Sequence, residues 1–309
     1  MTRLLPVFVE VLLPVCVVVL IGYVGRLRFA LDARPVTRLA LYLLSPCLVF
    51  SSIVHSEISA ANSLQIAIAA TASMALTGAV GWMGASAQRL DLRARSAYLL
   101  VSTFPNAGNL GLAIVRLAFG ETGVERAVVF FVTSAVLTNS VGVYIAASSA
   151  GDRRRALRQV AAMPQIYAVG AALLARLIGL PGSAEGATAS LFTAIDLVAD
   201  ATIPVFLLVL GMQLTEVGGT GQTLSAGVAL ASMTRLLASV PITYLLTRAL
   251  QLDDLSSRVV VLEAAMPAAV YCVILANEFD AEPALATSVV VVSTLASTLT
   301  LTVLLSYIM

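Results

Sequence analysis

Two short stretches hold the residues whose types and spacing could do chemistry. Between positions 102 and 111, Pro105 is followed by Asn106, Gly108, Asn109 and Gly111. Farther on, Glu263, Pro267 and Tyr271 follow one another at one-turn intervals, and Arg235 lies ahead of them. A proline inside a helix removes one backbone hydrogen bond and clashes with the preceding turn, so main-chain groups are freed beside it. Glycines let the chain leave helical geometry there. The two asparagines add donors and acceptors, and Tyr271 adds a hydroxyl. A helix restarted after such a break points its positive end at the gap, which suits an anionic group. The chemistry is that of binding. The single histidine, His55, cannot build a histidine metal cluster, and Asp196 and Asp200 lack the glycine-containing setting of an aspartyl protease. An enzyme is therefore not expected.

The elements that must position these residues are membrane spans. Of 309 residues, 59% are hydrophobic and 11% charged, against roughly a quarter charged in a soluble domain. So few charges cannot cover an aqueous surface, and the missing solvent must be lipid. The net charge of +1 argues against a nucleic-acid partner. Cys16, Cys47 and Cys272 all fall in apolar runs and read as small hydrophobes. A span needs about 20 mostly apolar residues. Such runs fall at 5–25, 36–54, 64–86, 96–118, 126–148, 161–180, 191–214, 222–250, 258–277 and 283–308, which predicts ten helices joined by short loops. The first run follows Arg3 and has the look of a signal peptide. It is longer than the usual apolar region and holds Pro6, Glu10 and Pro14, so it reads as the first span.

Arginine, the only basic residue apart from His55, sets the expected orientation. Arginines crowd 26–38, 89–95 and 153–158, after spans one, three and five. The other side holds only Arg3, Arg116, Arg126, Arg176, Arg248 and Arg258. The crowded side is read as cytoplasmic, with both termini outside, although Glu278, Asp280 and Glu282 make one loop on that side acidic.

An internal repeat is the most informative pattern. Pro46 in span two and Pro204 in span seven each follow a leucine, Leu39 or Leu197, by seven residues. Pro105 in span four and Pro267 in span nine stand nearly the same distance apart, and both spans end on a Phe at 119 or 279. Five spans per half is an odd number, so the second half enters from the opposite face. That is an inverted-topology repeat, the plan of many secondary transporters. Membrane helices also use Pro and Gly as plain packing kinks, but two kinks at matching places, one set among Asn and Gly, point to a binding locus.

Ionisable residues within spans cost roughly 3 kcal/mol or more each and tend to face the protein interior. Arg235, the deepest, suits either a substrate carboxylate or an ion pair with Glu263 or Asp200. Glu263, one turn before Pro267, reads as a proton or Na⁺ site, as a partner for Arg235, or as an interfacial carboxylate. Asp200, about one turn before Pro204, is a further coupling-ion candidate. Asp196 is expected at an interface, Glu10 as a lining or end position, and His55 as a solvated boundary residue. Arg116 is expected to snorkel, and Trp82 to anchor at the headgroups.

These stretches resemble the auxin efflux carrier family. The likeness is carried by 103–112 with its Pro105-Asn106, by 118–121, by 203–214, by 264–270 around Pro267, and by 293–295. It spans essentially the whole chain. Plant members are the PIN proteins, and bacterial members are often described as malate or malonate permeases. The resemblance implies an all-α membrane fold of ten helices in two inverted five-helix repeats, here 1–150 and 151–309. It implies a scaffold of helices one, two, six and seven, often dimeric, and a mobile core of helices three to five and eight to ten. Substrate would bind where helices four and nine cross, and move by an elevator-type shift. Pro105, Asn106 and Pro267 match the family's crossover positions. The second crossover often has asparagine four residues after its proline, where this chain has Tyr271. The related sodium/bile-acid symporters hold Na⁺ near their crossover, with Glu263 as a loose counterpart.

The expectation is thus a cell-membrane carrier of a small organic anion, such as a monocarboxylate, a dicarboxylate or an indole-type acid. Its site would use Pro105, Asn106, Asn109, Pro267, Tyr271 and Arg235, with Glu263 and Asp200 for H⁺ or Na⁺. No bound cofactor is expected. The rival readings are a Na⁺-coupled bile-acid-type symporter, a membrane sensor and an intramembrane enzyme.

Overall fold

The structure, a computed structural model, describes residues 4–147, 163–180, 186–217 and 225–309. Arg3, Arg153, Arg154, Arg155 and Arg158, used above for orientation, lie outside them. Among the described residues every regular element is helical, and one isolated antiparallel bridge joins Pro105 to Ala268. In chain order the helices are α1 (Leu4–Phe29), α2 (Ala33–Val54) and α3 (Ala60–Ala87), α4 (Leu92–Thr103), α5 (Ala107–Ala146) and α6 (Pro164–Leu177). They continue with α7 (Thr188–Thr215) and α8 (Ala226–Ala249), α9 (Asp254–Ala264), α10 (Tyr271–Glu278) and α11 (Pro283–Ile308). Seven of these, namely α1, α2, α3, α5, α7, α8 and α11, are long and apolar enough to cross a membrane.

Local sequence explains the helix ends. Side chains of Asp32, Ser59, Asp91, Ser225 and Asp253 cap the helices that follow them by accepting a backbone N–H two or three residues on. The α6 helix is shorter than the run at 161–180 suggests. Pro164 starts it, where its missing N–H costs nothing. Gly179, at φ 70°, closes it, with Leu180 N donating to Ala175 O and Gly179 N to Arg176 O.

The largest departure from the expected spans is at 92–146. The run at 96–118 is two pieces, α4 and the start of α5. The loop anticipated between 118 and 126 shrinks to a hinge at Gly120, whose φ of 67° and ψ of −162° interrupt α5. A backbone at that angle is open to glycine and strained for other residues. The run at 258–277 is likewise two pieces, α9 and α10, separated by an extended stretch at Pro267.

Two sets of helices pack closely. The α1 helix lies along α7, and α2 packs on α6 and α7. Gly22 meets the main chain of Leu208 and Gly211 that of Val19 and Tyr23, so α1 and α7 touch backbone to backbone. In the other set α3 packs on α4, α5 and α8, α9 on α5 and α8, and α11 on α4, α8 and α10. Tyr98, Phe104, Phe130, Phe206 and Met266 are fully buried. Leu20, Leu173, Leu197, Leu245 and Leu299 are exposed, as an outer face toward hydrocarbon requires.

Candidate functional site

Pro105 biases the residue before it toward extended geometry. Phe104 accordingly sits at φ −99° and ψ 114°, and α4 stops at Thr103. Before Pro267 the helix α9 has already ended at Ala264, with Ala265 still αR, and Pro105 and Ala268 face each other across an antiparallel bridge. Asn106 N donates to Pro267 O at 2.8 Å, and Ala269 N donates to Phe104 O at 3.1 Å. Ser293 of α11 accepts from Ala268 N at 3.2 Å. Each break thus satisfies main-chain groups that the other exposes, which is the condition for irregular backbone at membrane depth.

Four helix ends meet at this crossing. The carboxyl-terminal ends of α4 and α9 are bound by Arg235. Its guanidinium donates to Ser102 O at 3.1 Å, to Thr103 O at 2.7 Å and to Ala264 O. The residue is 1% exposed. The amino-terminal ends of α5 and α10 border a cavity of about 310 Å³, which also takes residues from α2, α7 and the start of α6. Pro105, Asn106, Asn109 and Tyr271 line this cavity. Among the described residues, no side chain on its wall is an Asp, Glu, Arg or Lys.

The polar wall holds more amides than the proline-flanking motifs indicate. Tyr271 Oη donates to Asn139 Oδ1 at 2.9 Å, so the tyrosine hydroxyl is turned to α5. Asn139 lies on a π-turn, Thr138–Gly142, that brings Thr138 and Asn139 to the wall. Gln165 donates to Leu41 O at 2.9 Å and Ser45 Oγ at 3.2 Å. Gln213 donates to Thr37 Oγ1 at 3.3 Å. Asn139, Gln165 and Gln213 went unread in the sequence; the signal available was an amide within an apolar run. Two atoms of this wall, Asn106 Nδ2 and Gln213 Oε1, are buried without a hydrogen-bond partner among the described residues.

The structure separates the remaining charged candidates from the cavity. Arg235 is not on its wall and holds carbonyls, where a substrate carboxylate or a pair with Glu263 or Asp200 was expected. Carbonyls left open at two helix ends provide the acceptors its fork requires. Glu263 is fully buried, packs against Gly111, and among the described residues neither carboxylate oxygen has a hydrogen-bond partner. Asp200 is exposed just before Ala201, where a one-residue turn interrupts α7, and pairs with Arg116 at 3.4 Å. Arg116 also reaches Glu121 at 2.7 Å, so its head is held by carboxylates. Asp196 accepts from Ser51 Oγ at 2.6 Å, and exposed His55 lies 3.8 Å from it.

A family model described as membrane transport protein matches residues 7–157 and 153–305. The chain belongs to this membrane transport family, that of the auxin efflux carriers. It is 27% identical over 299 residues to an uncharacterized transporter of Methanothermobacter thermautotrophicus, covering 94% of this chain and 95% of the other. It is also 21% identical over 295 residues to an uncharacterized transporter of Methanocaldococcus jannaschii, covering 92% and 94%. With its apolar helices, the membrane transport protein is a multi-pass membrane protein.

Proposed function

We propose that this membrane transport protein is a secondary carrier that moves a small organic anion across the cell membrane by elevator-type alternating access. One observation carries the reading. Two broken helices pair through their main chains, and the positive ends of the two restarted helices open on one cavity whose wall, among the described residues, has no charged side chain. Helix ends carry partial charges of about half a unit each. Two of them compensate a small anion without binding it irreversibly. The carboxylate would lie against Asn106, Asn109 and the start of α10, and the apolar part of the substrate against Phe131, Phe206 and Ile274.

In this reading the chain crosses the membrane ten times. The broken pairs, α4 with 107–119 and α9 with α10, each make one crossing, and 121–146 makes another. The halves 1–150 and 151–309 are the inverted repeats. The scaffold is α1, α2, α6 and α7, a surface fit for a homodimer, and the rest forms the moving core. The arginine-rich side is cytoplasmic and the termini lie outside. Thr37, Gln165 and Gln213 lie near the helix ends on that side, so the cavity is the inward-facing one. Glu263, buried without a partner, is the group that takes up H⁺ or Na⁺ during the cycle.

Purified protein in liposomes tests the proposal. Labelled malonate and indole-3-acetate should enter saturably and exchange with unlabelled substrate, and imposed pH or Na⁺ gradients should identify the coupling ion. Absence of saturable flux across a panel of mono- and dicarboxylates would overturn it.

A further inference from the structure

We propose that Arg235 is the positioning residue of the crossover, holding the ends of α4 and α9 together so that α5 and α10 stay aimed at one cavity. Its kinetic consequence rests on the carrier reading above; its geometry does not.

Each half-helix leaves carbonyls unpaired at its carboxyl end. Two such ends brought side by side repel one another, because both carry partial negative charge. In hydrocarbon no water relieves them. Arg235 spans this junction: Ser102 O and Thr103 O belong to α4, and Ala264 O to α9. The bridge hydrogen bonds of Asn106 N and Ala269 N come a few residues later in each chain segment. The cation thus secures one side of the crossing while the cavity opens on the other, where Arg235 does not reach the wall. Its own backbone is placed by the π-turn Thr234–Ala238 in α8, and Ser239 Oγ donates back to Arg235 O at 2.7 Å. A planar fork serves carbonyls lying in different directions, whereas an ammonium concentrates its donors at one point. Lysine is therefore expected to replace it only in part.

Hydrogen exchange read by mass spectrometry on the full-length protein in nanodiscs tests this without any substrate. In R235Q, peptides covering 104–111 and 265–272 should exchange about tenfold faster, with α1 and α7 unchanged and R235K in between. Unchanged exchange at the crossover, or an equal rise throughout the protein, would overturn the proposal. If R235Q does not yield folded protein, R235K decides by the same criterion. In liposomes, R235K should raise KM for malonate or indole-3-acetate, whichever the wild type carries, more than it lowers Vmax; a fall in Vmax at constant KM counts against positioning. Should the wild type carry neither, the carrier reading fails while the exchange result still decides the role of Arg235.

Discussion

The amide of Asn106 donates to the carbonyl of Pro267 at 2.8 Å, so the main chain of one broken helix is closed by that of the other. That bond engages only the backbone of Asn106. The residue is 5% exposed, and its side chain stands at the cavity wall with Nδ2 lacking a partner among the described residues. A buried donor left over in this way costs stability unless something accepts from it, and a substrate carboxylate is the acceptor proposed.

Asn106→Ala should therefore lower uptake without lowering expression. A hydrogen bond to a charged group is worth about 1.5–3 kcal/mol, which raises KM roughly tenfold to a hundredfold. Asn106→Asp should do worse, since it places like charge against an anion. Uptake by Asn106→Ala equal to the wild type would remove this side chain from the site.

Gly111 and Glu263 form a second coupled pair. A Cβ built on Gly111 would run into the Glu263 carboxylate, which supplies all three of its nearest atoms. Gly111→Ala should lower the melting temperature, as overpacking costs about 1–3 kcal/mol. If the carboxylate is the obstacle, adding Glu263→Ala should recover part of the loss, giving a non-additive double-mutant cycle of about 0.5–3 kcal/mol. Strict additivity of the two melting-temperature shifts would show that the backbone of α5, not Glu263, resists the methyl group.

Much of the crossover was legible because proline and glycine act locally. Pro105 and Pro267 break whatever helix contains them, and their matched places in the two halves mark a shared locus. The partners across the gap were not legible. Arg235 reads as a partner for a carboxylate, on a substrate or on Glu263 or Asp200, because sequence displays charged side chains but not open carbonyls; in the fold, helix ends supply its acceptors. Asp200 reads as a proton carrier or cation ligand beside Pro204, yet it is exposed and pairs with Arg116. Gln165 and Gln213 escaped notice because α6 and α7 reach the cavity only through tertiary packing. The stretch 118–126 reads as a loop, yet one residue at positive φ, Gly120, turns the chain there.

The α1–α7 contact predicts a packing-sensitive position. A side chain at Gly211 would run into Val19 O and lie 2.7 Å from Tyr23 N, both backbone atoms that cannot rotate aside. Gly211→Leu should therefore separate α1 from α7 and leave little folded protein in the membrane, while Leu245→Ala, on the exposed face of α8, should change the amount little. Size-exclusion profiles of the two variants check this. A normal profile for Gly211→Leu would mean that the helices slide without cost.

Asp253, in the turn before α9, predicts a pH dependence. Partial burial pushes its carboxyl up, but the Ser256 hydroxyl and amide, with the Arg126 guanidinium, pull harder and hold it below the ordinary aspartate value. The bonds are short, 2.6 Å from Ser256 Oγ and 2.9 Å from Ser256 N. A carboxylate depressed in the folded state stabilises above its unfolded pKa of about 3.9, and that contribution is lost as pH falls through the folded value. Asp253→Ala should lower the melting temperature at pH 7, the loss of a helix cap being about 1 kcal/mol. Asp253→Asn keeps an acceptor for the Ser256 amide but not the charge. Its deficit against the wild type should shrink as pH drops from 5 toward 3, because other carboxylates titrate alike in both proteins. A deficit that stays constant over this range would show that the hydrogen-bond geometry, and not the ionised carboxylate, secures the start of the helix that carries Glu263 to the crossover.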